Sequence, residues 1–182
     1  MRKSLWLAAI LAAPLLAGGA KACIEALNLT QMVAKTDTAV NGVVTDVRSV
    51  LHTPEGESEA FVYTIVTVEG EDLYTGQSRT LEAAFLGGTH QGREFFVSSM
   101  PHPSEYAVGN KVLAFGSPVS DWGAEIDHAL YASMGGIFRT VETRRGQVFL
   151  GKGDGFAVEK NVTLEQLRAD LAQALAEKEA QR

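Results

Sequence analysis

Cys23, His52, His90, Met100, His102 and His128 carry the soft or readily titrated donor atoms of this 182-residue sequence. Zinc or copper would need three or four such groups to converge on one point. No two are spaced as HxxxH or CxxC, the patterns that place a ligand pair on one helix face or one turn. Met100-Pro101-His102-Pro103 joins a thioether to an imidazole, which suits copper, but a histidine between two prolines reads as a loop residue. Nucleophilic chemistry finds no better footing, because there is no GxSxG turn. Gly151-Lys152-Gly153-Asp154-Gly155 lacks the GxxxxGK[ST] order of a phosphate loop and reads as a turn after a strand. Glu69 and Glu71-Asp72 read as solvated charge in loop sequence. The expectation is a non-enzyme with no catalytic residue, no metal and no cofactor.

Cys23 is the only cysteine, so no internal disulfide can form and the domain must be held by packing. What precedes it reads as a secretory signal. Arg2 and Lys3 supply the positive start, Leu5 to Ala20 the apolar stretch, and Ala20-Lys21-Ala22 the small-x-small cleavage pattern. The stretch is shorter than the ~20 apolar residues of a spanning helix and is broken by Pro14. The expected organisation is a signal peptide over 1–22 and one domain over 23–182, exported to the periplasm or the exterior. Cleavage after Ala22 makes Cys23 the first mature residue. Acylation, as in a lipoprotein, is one role for it, although Lys21 departs from the Leu-Ala-Gly-Cys type of motif. Contact through the new N-terminus, cross-linking of two chains and a free thiol are the others.

Charge narrows the partners. Removing Arg2, Lys3 and Lys21 leaves 13 basic residues against 22 acidic ones, a net charge of −9. Such a surface repels phosphate backbones and anionic lipid. The expected partner is an unidentified protein or small-molecule ligand, not nucleic acid, and a membrane only if Cys23 is lipidated. Arg139 and Arg144-Arg145 form the single basic cluster and flank a turn.

The elements that would position any site are mostly strands. Residues 28–36 read as a short helix capped by Asn28 or Thr30. Residues 38–50 alternate around β-branched side chains, and Gly42 within them marks a bulge or a close backbone approach. Residues 60–70 place Phe61, Tyr63, Ile65 and Thr67 on one face and Val62, Thr64, Val66 and Val68 on the other. Further strands are expected over 79–88, 92–99, 111–119, 128–143 with a break at Gly135-Gly136, and from 146. Residues 163–180 read as an amphipathic helix, with Thr163 and Gln166 as a capping box and Leu164, Leu167, Leu171 and Leu175 as a narrow stripe. Short strands separated by turn signals point to a small barrel or sandwich.

Residues 27–47 (LNLTQMVAKTDTAVNGVVTDV), 61–76 (FVYTIVTVEGEDLYTG), 87–115 (GGTHQGREFFVSSMPHPSEYAVGNKVLAF) and 135–150 (GGIFRTVETRRGQVFL) carry a resemblance over nearly the whole mature chain. They resemble a group of uncharacterised exported bacterial proteins with an OB-like β-barrel. The resemblance implies a mainly β fold: a small antiparallel OB-like barrel with a short N-terminal helix and a C-terminal amphipathic helix. It implies no catalytic residues. More distantly, the chain is similar to netrin-like and metalloproteinase-inhibitor domains, OB barrels with a mature N-terminal cysteine. In those inhibitors the terminal amine and the cysteine carbonyl chelate the target's zinc, with the cysteine held by a disulfide that this chain cannot form. Barrels of this type bind ligands through exposed aromatics on one sheet face. Phe61, Tyr63, Phe95, Phe96 and Phe115 are candidates, most of them expected in the core. Trp122, in a polar, turn-like stretch, is the candidate ligand-contact residue, with capping of the barrel end as its structural alternative. The functional expectation is a binding or structural protein of the bacterial cell envelope. An inhibitor-like module presenting its N-terminus to a metalloenzyme is the alternative, and an unrecognised hydrolase ranks below it.

Overall fold

The computed structural model describes residues 26–54, 56–123, 125–144 and 146–181. Cys23 and the leader lie outside the described residues.

The chain enters through helix α1 (Leu29–Lys35). Asn28 is its cap: the side chain accepts a bond from Gln31 N–H, and the Gln31 side chain accepts one from Asn28 N–H. The helix stops at Thr36, whose extended backbone feeds strand β1 (Thr38–His52). Strand β1 runs antiparallel to β2 (Phe61–Asp72), and β2 to β3 (Gln77–Leu86). Strand β6 (Lys111–Pro118) pairs with the first half of β1, and β7 (His128–Leu130) pairs with both β6 and β3. The order β1-β2-β3-β7-β6 returns to β1, so five strands close a barrel. The β3–β7 contact is parallel and spans only Ala83–Ala84 against His128–Ala129. It joins strands separated by a long crossover, as parallel pairing requires. This closure is the OB-like arrangement.

Between β3 and β6 the chain forms a small hairpin, β4 (Gly88–His90) and β5 (Arg93–Phe95), and a loop that sends Met100 and Tyr106 against the barrel interior. The expected strand over 92–99 is thus confined to β5. A 3-10 turn, Ser133–Gly136, breaks β7 from β8 (Ile137–Thr143), at the expected glycines. Strand β8 leaves the barrel on the edge of β6 and continues to β9 (Gly146–Phe149) and the two-residue β10 (Val162–Thr163). Helix α2 (Leu164–Ala180) follows directly, with Thr163 Oγ1 accepting from Gln166 N–H.

Strand alternation sorts the apolar residues into three clusters. Val40, Val44, Val66, Val68, Leu81, Phe85, Val112 and Ala114 fill the barrel. The opposite faces of the same strands carry Ala39, Leu113 and Phe115, which pack with Met32, Val33, Phe138, Leu167 and Leu171 under the two helices. Both faces of β6, and of β1 over Thr38–Val40, are therefore buried, which explains the near-continuous apolar run of β6. The α2 stripe is seated on the barrel wall through Leu167, Leu171 and Ala174. Lys178 Nζ donates to Val33 O and Thr36 O, tying α2 to the end of α1 at 2.8 and 2.7 Å. The third cluster, Tyr63, Ile65, Ala84 and Ile126, lies outside β2–β3 beneath the 119–126 loop.

Candidate ligand-binding groove

The acidic run at the end of β2 departs from its expected place in a solvated loop. Asp72 is the last residue of β2 and is 1% exposed. Its carboxylate accepts from Thr38 Oγ1 (3.1 Å), Ala39 N–H (3.4 Å) and Tyr74 N–H (3.0 Å), and pairs with Arg79 Nη1 at 3.3 Å. A buried carboxylate needs such donors to offset its lost hydration. Arg79 Nη2 lies 3.3 Å from His128 Nε2, which is 3.4 Å from Asp37 Oδ2. The cluster locks the α1–β1 junction, the β2–β3 hairpin and the closing strand β7 together. Nearby, Tyr74 O–H meets Thr36 Oγ1 at 2.7 Å. Burial pushes the Tyr74 phenol well above its ordinary pKa, with Asp72 and Asp37 acting the same way and the Thr36 bond opposing them.

The histidines do not converge. His52 faces the Asp121 carbonyl at 3.2 Å, His90 the Ser49 carbonyl at 2.8 Å, His102 bonds Ser104 in its own loop, and His128 belongs to the Asp72 cluster. Met100 packs toward the barrel interior, apart from His102, which is exposed. Among the described residues no three of His, Cys, Asp and Glu are grouped to hold a metal ion.

The aromatic residues divide. Phe115 is fully buried, edge-on to Phe138 at 6.2 Å. Trp122 is half-buried, with its ring 5.0 Å from that of Tyr63, and it closes the outer β2–β3 face with Ile126 and Val119. It packs on Tyr63 at the outer face of the sheet rather than standing free. Phe61 and Phe95 meet edge to face at 5.4 Å, both half-buried. Phe96 alone of the five candidates projects into solvent, at 68% exposure.

Phe96 lines a groove of about 290 Å³ between β1–β2 and the β5–β6 loop. Val47, Ser49 and Thr64 from β1 and β2 form one side, and Met100, Pro103 and Tyr106 from the β5–β6 loop form the other. The loop is anchored by Tyr106, edge-on to Phe85 at 5.2 Å, and by Asn110 Nδ2, which donates to Ser104 O at 2.8 Å. Two hydroxyls fix the groove's inner wall: Ser49 Oγ donates to Thr89 O and Thr64 Oγ1 to Gly87 O, each at 2.7 Å. Burial raises the Tyr106 phenol pKa above its ordinary value. The lining therefore mixes apolar and aromatic side chains with hydroxyl and backbone groups and one charged side chain, Arg48. A hollow of about 310 Å³ between α1, residues 156–162 and α2 has the packed helix residues Leu167 and Ala174 in its lining and a half-buried ring, Phe156.

Comparison with protein-family models, curated proteins and solved structures finds no match. The groove is thus described from its own residues. Sequence reasoning included Phe96 among five aromatics, but nothing local separated it from Phe95. The separating signal is the end of β5 at Phe95, which releases the next side chain from the hairpin.

Proposed function

We propose that this chain is an exported, non-enzymatic binding protein of the bacterial cell envelope, which takes an apolar or aromatic group of its ligand into the groove beside Phe96. The observation that carries the reading is the two-thirds exposure of Phe96 in the lining of this groove. A large apolar side chain left in water gains by being covered, and aromatic anchors in clefts account for much of the affinity of binding sites. Export rests on the leader-type N-terminus and on the resemblance to exported OB-like proteins; the strand order β1-β2-β3-β7-β6 is that of an OB-like barrel.

Titration of the mature protein with Nile red, a neutral reporter of apolar clefts, tests the site. Saturable binding is expected, weakened about tenfold, or ~1.4 kcal/mol, by Phe96→Ala. Val108→Ala, at an exposed apolar residue outside the groove lining, should leave it unchanged. Equal binding by the Phe96 variant would remove the groove from consideration. Cell fractionation with N-terminal sequencing tests export, and a native chain beginning at Met1 in the cytoplasm would refute it.

A further inference from the structure

Among the described residues, the second half of β1 has a strand partner on one side only, and this deepens the reading above, on which it rests. Strand β1 pairs with β6 from Thr38 to Val43, and the contact ends where Val44 N–H donates to Asn110 O. From Thr45 to His52 the described strands pair with β1 on the β2 side only. The register shift between Val44 and Asp46 reverses which residues address which neighbour. Before it, Val44 bonds toward the β6 side, and Ala39 O accepts from Leu73 N–H on the β2 side. After it, Ser49 O is turned away from β2 and accepts from His90 Nδ1. Val62, the β2 residue opposite Leu51, turns its carbonyl to Gly87 N–H on the β3 side. Alternation then makes Val47, Ser49 and Leu51 the residues whose main-chain groups face the open edge. Val47 and Ser49 also line the groove, and Leu51 is exposed.

We infer that this edge takes an extended, basic polypeptide segment as an added strand, with an apolar side chain of that segment entering the groove beside Phe96. A row of unpaired N–H and C=O groups is complemented by another strand, and a pocket beside the edge supplies side-chain selection. At Ser49 the His90 imidazole already stands in for the missing donor, and the incoming strand replaces it. Charge selects the partner. Among the described residues, Asp46, Glu57, Glu59 and Glu94 are exposed on or next to this stretch against one exposed cation, Arg93. Arg48, which also lines the groove, pairs through Nη2 with Glu82 at 3.0 Å, while its Nη1 has no hydrogen-bond partner among them and lies 3.9 Å from Glu125. A second copy of the chain would bring the same carboxylates to the edge, so self-pairing is opposed.

The probe is a capped peptide of alternating lysine and valine with a central phenylalanine, titrated into the mature protein at physiological ionic strength. Its control has the same sequence with backbone N-methyl groups on alternate residues, which removes strand donors and leaves charge and side chains intact. The expected result is saturable binding, new exchange protection at the Val47 and Leu51 amides, and about tenfold weaker binding of the control, equivalent to ~1.4 kcal/mol. Equal binding of the two peptides would reduce the interaction to charge attraction and overturn the inference. So would a dimer of this chain formed through the same amides. Shifts at Phe96 and Tyr106 without edge protection would sink the added strand while leaving the groove, and no shift at either place would count against both.

Discussion

Gly42 of β1 and Gly70 of β2 sit directly opposite each other, and neither position has room for a side chain. A Cβ on Gly42 would lie 2.1 Å from Glu69 O, and one on Gly70 would lie 2.1 Å from Asn41 O and 2.4 Å from Gly42 Cα. The obstructing atoms are backbone, so no side chain can rotate away. The pair lets β1 and β2 approach where β1 is also held by β6. Gly42→Ala or Gly70→Ala should each cost about 2–3 kcal/mol in denaturant melts, the range of overpacking. A neutral effect would mean that the strands cross less closely.

Leu167 is 1% exposed in the cluster between α2 and the barrel wall. Leu167→Ala should cost about 2–4 kcal/mol, as for other buried leucines. A loss under ~0.5 kcal/mol would indicate a helix that leaves the barrel in solution.

Tyr74 gives the fold an alkaline limit. Its phenol is raised above the ordinary value of 10.0, chiefly by burial. The native state therefore keeps the proton at pH values where the unfolded chain loses it. Native protein binds more protons there, so stability falls as pH rises past the ordinary phenol value of about 10. Below that pH both states are protonated and the contribution is flat. Tyr63 and Tyr106 are raised as well. The diagnostic is thus the difference: Tyr74→Phe should show a shallower fall in urea stability between about pH 9 and pH 11 than the parent protein. Identical slopes would contradict the burial of this hydroxyl.

Trp122 covers Tyr63 and should behave as a packing residue. Trp122→Ala is expected to lower stability by about 1–3 kcal/mol, less than a fully buried aromatic, because the ring is half-exposed. Nile red binding at the Phe96 groove should persist. Loss of dye binding with unchanged stability would restore Trp122 as a ligand contact.

Cys23→Ser separates the roles that the expected cleavage after Ala22 would open to Cys23. The expected outcome is unchanged stability, location and assembly. Release of the protein from the membrane fraction would establish lipidation, and disappearance of a dimer on non-reducing gels would establish cross-linking. Loss of a bound metal would contradict the expectation directly.

The strands and both helices could be read from one-dimensional pattern because each depends on neighbours in sequence. The alternation over Phe61–Val68, a helix cap at Asn28 or Thr30 and the break at Gly135-Gly136 are local; the structure has the first and the last and settles the cap on Asn28. Gly42 was ambiguous between a bulge and a close approach; pairing decided for the approach and moved the bulge to Thr45. Tertiary structure alone decided three other matters. Asp72 reads as solvated charge because no local pattern reveals that Thr38, Ala39 and Arg79 will surround it. Strand β10 has two residues, too few for any periodic signal, and exists because β9 offers it an edge. Phe95 and Phe96 are adjacent and identical, yet one packs edge-to-face on Phe61 and the other faces water. Sequence determines which residues seek burial; which of them find it depends on the surfaces that closure of the barrel brings together.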